Sequence, residues 1–274
     1  NAKRRLQACS IFLFLICLLS RALTSIYYIE DIDSLRFALS IKDYDITKLQ
    51  PHFPGYIVFC FLIKTLYLFV GNMGLSFSIV GGCSIFFIIY YLLRIFNTSL
   101  KSYEGRYIAL IIFLNPLFWL MSNRYMPDLL GLSISTVIIF YLLYENKNFH
   151  NLRIGFFLVG ILAGIRLSYL PFMLVPFLFN IFKEKQRLRL LLSFFLGCVI
   201  WLIPLIFTTG IDSFFSSAIK HSRGHFTNFG GTIITDPDWA LRSVNLFKGI
   251  WSDGFGGYWG GRSWQTIILS VSFL

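Results

Sequence analysis

Tyr56-Ile-Val-Phe-Cys-Phe-Leu-Ile-Lys64-Thr-Leu-Tyr-Leu-Phe-Val70 is the stretch on which the architecture turns. It is apolar enough to enter a membrane, yet Lys64 stands in its middle. A helix crossing the bilayer there would carry the ammonium near the hydrocarbon centre, at roughly 2.5–3.5 kcal/mol on insertion scales. A helix lying along the interface instead lets the lysine reach water on its own aliphatic stem. Charges elsewhere in the chain choose between the two.

The 274 residues are 56% hydrophobic and only 14% charged, with a mean hydropathy of +0.70. A soluble domain of this length has too little interior for that much apolar side chain. Apolar runs recur at 8–28, 56–70, 75–93, 107–121, 129–144, 154–165, 168–182 and 190–208, with another from Trp264 onward. The longest have the length that crosses about 30 Å of hydrocarbon. The pattern predicts an all-α polytopic membrane protein. The net charge of +11 then reads as loop bias and not as a nucleic-acid footprint. Five cysteines (Cys9, Cys17, Cys60, Cys83 and Cys198) sit singly in apolar runs without a CxxC, as packing residues do. The chain begins at Asn1 and ends inside an apolar run, which reads as a piece of a longer protein.

If every run crosses, Arg94, Lys101 and Arg106 land outside, and Asp128 lands on the side opposite Asp33. If 56–70 does not cross, the charges sort themselves. Lys3, Arg4 and Arg5, then Arg94, Lys101 and Arg106, then Lys147 and Arg153, then Lys183, Lys185, Arg187 and Arg189 all face the cytoplasm. These are 12 of the 24 basic residues, opposed only by Glu104, Glu145 and Glu184, as the positive-inside rule requires. The non-crossing version predicts seven complete spans and the start of an eighth. It divides the chain into a membrane module over 1–208 with its first outer loop at 29–74, an outer loop over 209–263, and a further span beginning at 264.

That topology gathers Glu30, Asp31, Asp33, His52, Lys64, Asp128 and Arg166 on one outer face. Five of the chain's 13 acidic residues (Glu30, Asp31, Asp33, Asp43 and Asp45) fall in the first outer loop, which closes on Pro51-His52-Phe53-Pro54-Gly55. Carboxylates held at a membrane surface cost free energy and usually have a task. Transfer of a group from a lipid-linked phosphate needs a carboxylate to take a proton from the incoming hydroxyl. It also needs cations on the departing phosphate. The plain alternatives are structural: Asp33-Ser34 as a helix N-terminus, Asp128 after Pro127 as an N-terminal helix acid, His52 as a turn residue, and Arg166 as a helix end reaching headgroups.

Asp33-Ser-Leu-Arg-Phe-Ala-Leu39, Asp43-Tyr-Asp45 and Pro51-His-Phe-Pro-Gly-Tyr56 together resemble the first outer loop of GT-C glycosyltransferases. The nearest branch is the protein-mannosyltransferase and aminoarabinose-transferase-like group. The resemblance covers roughly residues 6–182. It implies transfer of a sugar from a polyprenyl-phosphate carrier to an acceptor glycan, lipid or protein on the extracytoplasmic face of a plasma, inner or ER membrane. The implied mechanism is inverting, with Asp33 or Asp31 as base and Asp128 as the second acid. Arg166, Lys64 or His52 would then hold the carrier phosphate. Phe53 stands where the family's turn carries a proline, and Arg166-Leu167 where Lys-Gly is common. Some members need a divalent cation and others do not; carboxylate ligands would suit Mg²⁺ or Mn²⁺.

In the later loop, His221 and His225 have the i, i+4 spacing of helical zinc ligands, but the Glu of an HExxH motif is absent. The alternatives are a phosphate or acceptor contact and plain loop structure. The tract from Asp253 to Arg262 alternates glycine with aromatics that would stack on sugars or mark an interface. The rival from another class is a transporter or flippase for a lipid-linked or anionic substrate, which predicts charges through the middle of spans. Here the carboxylates sit at helix ends.

Overall fold

A computed structural model describes residues 2–144 and 148–255, together with positions 257, 260 and 268. The span expected from Trp264, most of the glycine–aromatic tract, and the side chains of Lys3, Arg4, Arg5, Glu145 and Lys147 lie outside the described residues. Twelve α-helices and no strand occur among the described residues. They are α1 (Ala2–Leu23), α2 (Ile32–Lys42), α3 (Ile57–Val70), α4 (Met73–Ile95), α5 (Tyr103–Leu114), α6 (Pro116–Asn123), α7 (Asp128–Ile139), α8 (Phe149–Ile165), α9 (Leu170–Lys183), α10 (Arg187–Thr209), α11 (Ile211–Thr227) and α12 (Trp239–Lys248).

By length and composition, α4 and α10 are each able to cross a membrane, and α5 with α6 would make a third if the bent pair counts as one. Other apolar helices, such as α3, α8 and α9, are shorter. The structure thus supports an all-helical protein with membrane-compatible helices, a coarser statement than seven spans. The 209–263 region differs from the loop expected there, since α11 and α12 occupy much of it. No residue of α12 is buried.

Close approach holds the bundle together. A Cβ on Gly160 of α8 would run into the backbone of Phe194 and Gly197 on α10, and one on Gly197 into the Phe157 carbonyl. The Trp201 indole donates to the Gly160 carbonyl across the same seam (2.8 Å). Small residues that let two backbones meet are the usual glue where helices gain no water-driven attraction. α1 and α4 pack antiparallel, Gly82 lying against Cys17 and Leu18.

α5 and α6 bend by 53° at Asn115, where Pro116 cannot continue the hydrogen-bond ladder and the Asn115 side chain caps α6 through Phe118 N (3.0 Å). The bend leaves carbonyls of the last turn of α5 open. Arg21, fully buried in α1, donates to one of them, Phe113 O (2.7 Å). Its guanidinium lies 3.8 Å from the Trp119 ring centroid and 4.4 Å from that of Phe113.

α3 begins and finishes at the same end of the bundle. Tyr56 at its start bonds Arg166 at the end of α8 (3.1 Å). After α3, Gly74 at the start of α4 abuts the Ile26 carbonyl just beyond α1, and Tyr125 donates to that same carbonyl (3.0 Å). Between these points α3 buries Phe59, Cys60 and Ile63 against Phe37 and Ile41 of α2 and Phe77 and Val80 of α4. Lys64 lies on its exposed side.

Candidate active site

The first loop is organised from its own polar residues. Asp31 caps α2 by accepting from Ser34 N (2.7 Å), so the helix begins at Ile32, one residue earlier than the Asp33-Ser34 start expected. Asp45 caps a 3₁₀ turn at Ile46–Lys48 and, with Asp43, pairs with Lys48. The turn at 51–56 then folds tightly. Gly55 has φ +97°, and a Cβ there would sit 2.6 Å from the Tyr44 hydroxyl, which donates to the Gly55 carbonyl (2.7 Å). Tyr56 itself is held at φ +46°. A buried aromatic in left-handed backbone costs on the order of 1–3 kcal/mol and persists only where its surroundings over-determine it.

Those surroundings are the site. The Tyr56 hydroxyl lies 2.9 Å from His52 Nε2 and accepts from Arg166 Nη1 at 3.1 Å. Arg166 Nη2 pairs with Asp128 Oδ1 at 2.9 Å. His52 Nδ1 faces Asp33 Oδ1 at 3.7 Å, and Arg36 Nη1 donates to the same carboxylate oxygen at 2.9 Å. From α11, His221 stacks on His52 with ring centroids 5.3 Å apart at 18°, and His225 stacks behind His221 at 6.3 Å. Phe214 of α11 packs on Phe53 (5.6 Å) and His221 lies against the same ring (6.2 Å), so α11 is laid over the turn by three ring contacts.

A cavity of about 770 Å³ is walled by Asp33, Arg36, His52, Tyr56, Arg166, His221 and His225, with apolar surface from Phe53, Met126, Phe226 and Phe229. The size and the few converging polar groups suit a small-molecule site. A second cavity of about 780 Å³ lies at the other end between α1 and α4, where Arg94 and Lys101 are the charged lining residues; it has no carboxylate or imidazole.

Burial pushes the His52 imidazole down to about 4; Asp33 opposes that shift, while His221, Arg36 and Arg166 add to it. His221 is also lowered, by burial first and then by His225 and Arg36. Both rings are therefore neutral at pH 7. The Nδ1 of His52, Nε of Arg166 and Oδ2 of Asp128 are buried without a hydrogen-bond partner.

The residues singled out in the sequence divide in three. Asp33, His52, Arg166, His221 and His225 meet in the cavity. Asp128 stands behind it as the counter-ion of Arg166 and is not a lining residue. Asp31 and Lys64 are elsewhere. Asp31 is occupied by the α2 cap and by an ion pair with Arg124, which also pairs with Glu30 at 2.6 Å. Lys64 is about 12 Å along the helix from Tyr56 at 1.5 Å per residue, on the exposed face. Three contributors were not read from the sequence. Arg36 sits one helical turn after Asp33, a spacing that by itself foretells a pair. Arg124 lies in a loop already assigned to the acidic face. Tyr56 entered only as the last residue of the Pro51–Tyr56 motif, with no role attached to it. Among the described residues no group of three or more His, Cys, Asp or Glu side chains is disposed to hold a metal ion.

Comparison of the chain with protein-family models, with curated proteins and with solved structures finds no match.

Proposed function

We propose that this protein is a GT-C-like glycosyltransferase that moves a sugar from a polyprenyl-phosphate carrier to an acceptor hydroxyl on the extracytoplasmic face of a membrane. The observation that carries the reading is one carboxylate, Asp33, set among two guanidiniums, Arg36 and Arg166, in a cavity at one end of an apolar helical bundle. In this reading α1, α4, the α5–α6 pair, α7 with the π turn after it, α8, α9 and α10 cross the membrane. α3, which starts and ends on one side, lies along the interface and leaves Lys64 at water.

Asp33 is the general base, since among the described residues it is the only carboxylate lining the cavity. It takes the acceptor's proton as the acceptor oxygen bonds to the anomeric carbon. The bond from that carbon to the phosphate oxygen breaks, and its electron pair leaves on the phosphate. Arg166 and Arg36 stabilise the charge that develops there. A single displacement of this kind inverts the anomeric centre. Asp128 holds Arg166 in place, and Asp31 with Arg124 joins the first loop to the α6–α7 connection.

The test is sugar transfer from polyprenyl-phosphate donors by Asp33→Asn, Asp128→Asn and Asp31→Asn variants. Loss of the base lowers turnover by about 10²–10⁴, so Asp33→Asn is the most impaired of the three. Full activity in Asp33→Asn refutes the assignment. For topology, Lys64→Cys and Lys101→Cys are labelled with a membrane-impermeant reagent in a background lacking the five native cysteines. Labelling of position 101 from outside overturns the interfacial placement of α3.

A further inference from the structure

The hydrogen-bond pattern around Tyr56 determines which nitrogen of His52 carries its proton. The phenol oxygen accepts from Arg166 Nη1 (3.1 Å), a donor with no alternative role. The phenol still has its own proton to place, and His52 Nε2 (2.9 Å) is the acceptor within its reach; donation there makes Nε2 the unprotonated nitrogen. The proton of the neutral ring is then on Nδ1. That atom is buried with no hydrogen-bond partner and faces Asp33 Oδ1 across 3.7 Å. The ring is not free to turn: Phe37 meets it edge-on at 5.9 Å and His221 stacks on it at 5.3 Å.

A donor and an acceptor 3.7 Å apart are too distant to bond each other well. One oxygen about 2.8 Å from each would bridge them; Nδ1 is closed to solvent, so the groups packed over it must give way to admit that oxygen. Only a group that both accepts and donates satisfies the two. An alcohol does so, accepting from Nδ1–H and donating to the carboxylate. A phosphate oxygen would face Asp33 with like charge, and an ammonium would face N–H with N–H.

We propose that Asp33 and His52 form a clasp for a single hydroxyl of the acceptor, and that Tyr56 is the positioning residue setting the His52 tautomer the clasp requires. The chemistry rests on the transfer reading above; the tautomer does not. The clasp aligns the acceptor O–H with Asp33, so the proton moves to Asp33 Oδ1 as the oxygen attacks, while His52 keeps its own proton throughout. The neutrality of His52 agrees with its burial. The charged and titratable groups facing it are Asp33 and Arg36 from α2, Tyr56 at the start of α3, Arg166 after α8 and His221 from α11.

The first test is ¹⁵N NMR of the histidine-labelled full chain in detergent, with the His52 signal assigned by its loss in His52→Asn. The expected result at pH 7 is a neutral ring protonated on Nδ1 in the wild type, and a mixture of tautomers in Tyr56→Phe. A ring protonated on Nε2, a charged ring, or an unchanged tautomer in Tyr56→Phe overturns the proposal. The second test compares His52→Asn, whose amide N–H falls near Nδ1, with His52→Gln, whose amide falls near Nε2. The asparagine variant keeps transfer within about tenfold of wild type, while the glutamine variant loses about 10²-fold or more, as for loss of one aimed donor. Equal or reversed losses overturn it. If the wild type transfers no sugar, the transfer reading and the acceptor clasp fall together, and the NMR result alone decides the tautomer and the positioning role of Tyr56.

Discussion

Acid sensitivity centred on His52 is a direct consequence of how the turn at 51–56 is buried. In the folded chain the imidazole is held near 4, against 6.5 when unfolded. Between those values the unfolded chain takes up a proton that the folded chain refuses. Stability from this group is therefore complete above about pH 6.5 and falls as pH drops through the interval, flattening below about 4. At 1.36 kcal/mol per tenfold difference in proton affinity, the full penalty is about 3 kcal/mol, and about 2 kcal/mol of it is lost already at pH 5. For a chain of this size that is a fall of roughly 4–8 °C in the unfolding midpoint. The assay is thermal unfolding in detergent from pH 7.5 to 5, comparing wild type with His52→Asn, which cannot titrate. His221 titrates in the same direction and remains in both proteins, so the difference between the two curves isolates His52. Parallel curves would show that His52 is not buried as described and would refute the reasoning.

Four further outcomes are expected. Gly160→Leu forces α8 off the α10 backbone and breaks the Trp201 bond, lowering stability by about 1–3 kcal/mol or more, read as a lower midpoint; an unchanged midpoint rules out the close seam. Arg21→Met keeps an apolar shape between Phe113 and Trp119 but leaves the Phe113 carbonyl unpartnered, at about 1–3 kcal/mol; full wild-type stability would mean that the α5–α6 bend satisfies itself. Arg166→Lys replaces a planar fork that bonds Tyr56 and Asp128 at once with a single ammonium, and transfer falls by about 10². Lys64→Gln leaves transfer unchanged. Similar losses in these last two variants would put Lys64 back at the site.

Much of the site was readable because its parts belong to local chemistry. Asp33 and Asp31 follow an apolar run in a chain poor in acids, and His52 lies in a proline-bracketed turn. Arg166 interrupts a long apolar stretch. What the sequence did not disclose is the division of labour among them. Asp31 and Asp33 are two residues apart and chemically alike. They part company only because α2 begins at Ile32, which turns Asp31 into a cap within reach of Arg124 and leaves Asp33 facing His52 and Arg36. Lys64 lies outside the cavity for a related reason. Its position in the chain puts it near the turn, but the phase of α3 sends Ile63 into the core and Lys64 away from it.

Tyr56 shows the limit most clearly. In the sequence it is one of 14 tyrosines, the last residue of the Pro51–Tyr56 motif, with no role distinguishing it from an interfacial aromatic. Its importance comes from contacts with His52, four residues earlier, and with Arg166, 110 residues later.

By itself the sequence determined that the chain is helical and apolar, that its charges collect at helix ends, and that 56–70 is a poor candidate for crossing. Composition and the cost of placing a charge in hydrocarbon act on every residue locally, so they can be read without coordinates. The tertiary structure decided that α3 begins and finishes at one end of the bundle, that α11 covers the turn, and that among the described acids Asp33 is the one that lines the cavity with His52, Arg36 and Arg166. Those facts depend on helix phase and on contacts between distant segments, where a rotation of one residue exchanges a buried side chain for an exposed one.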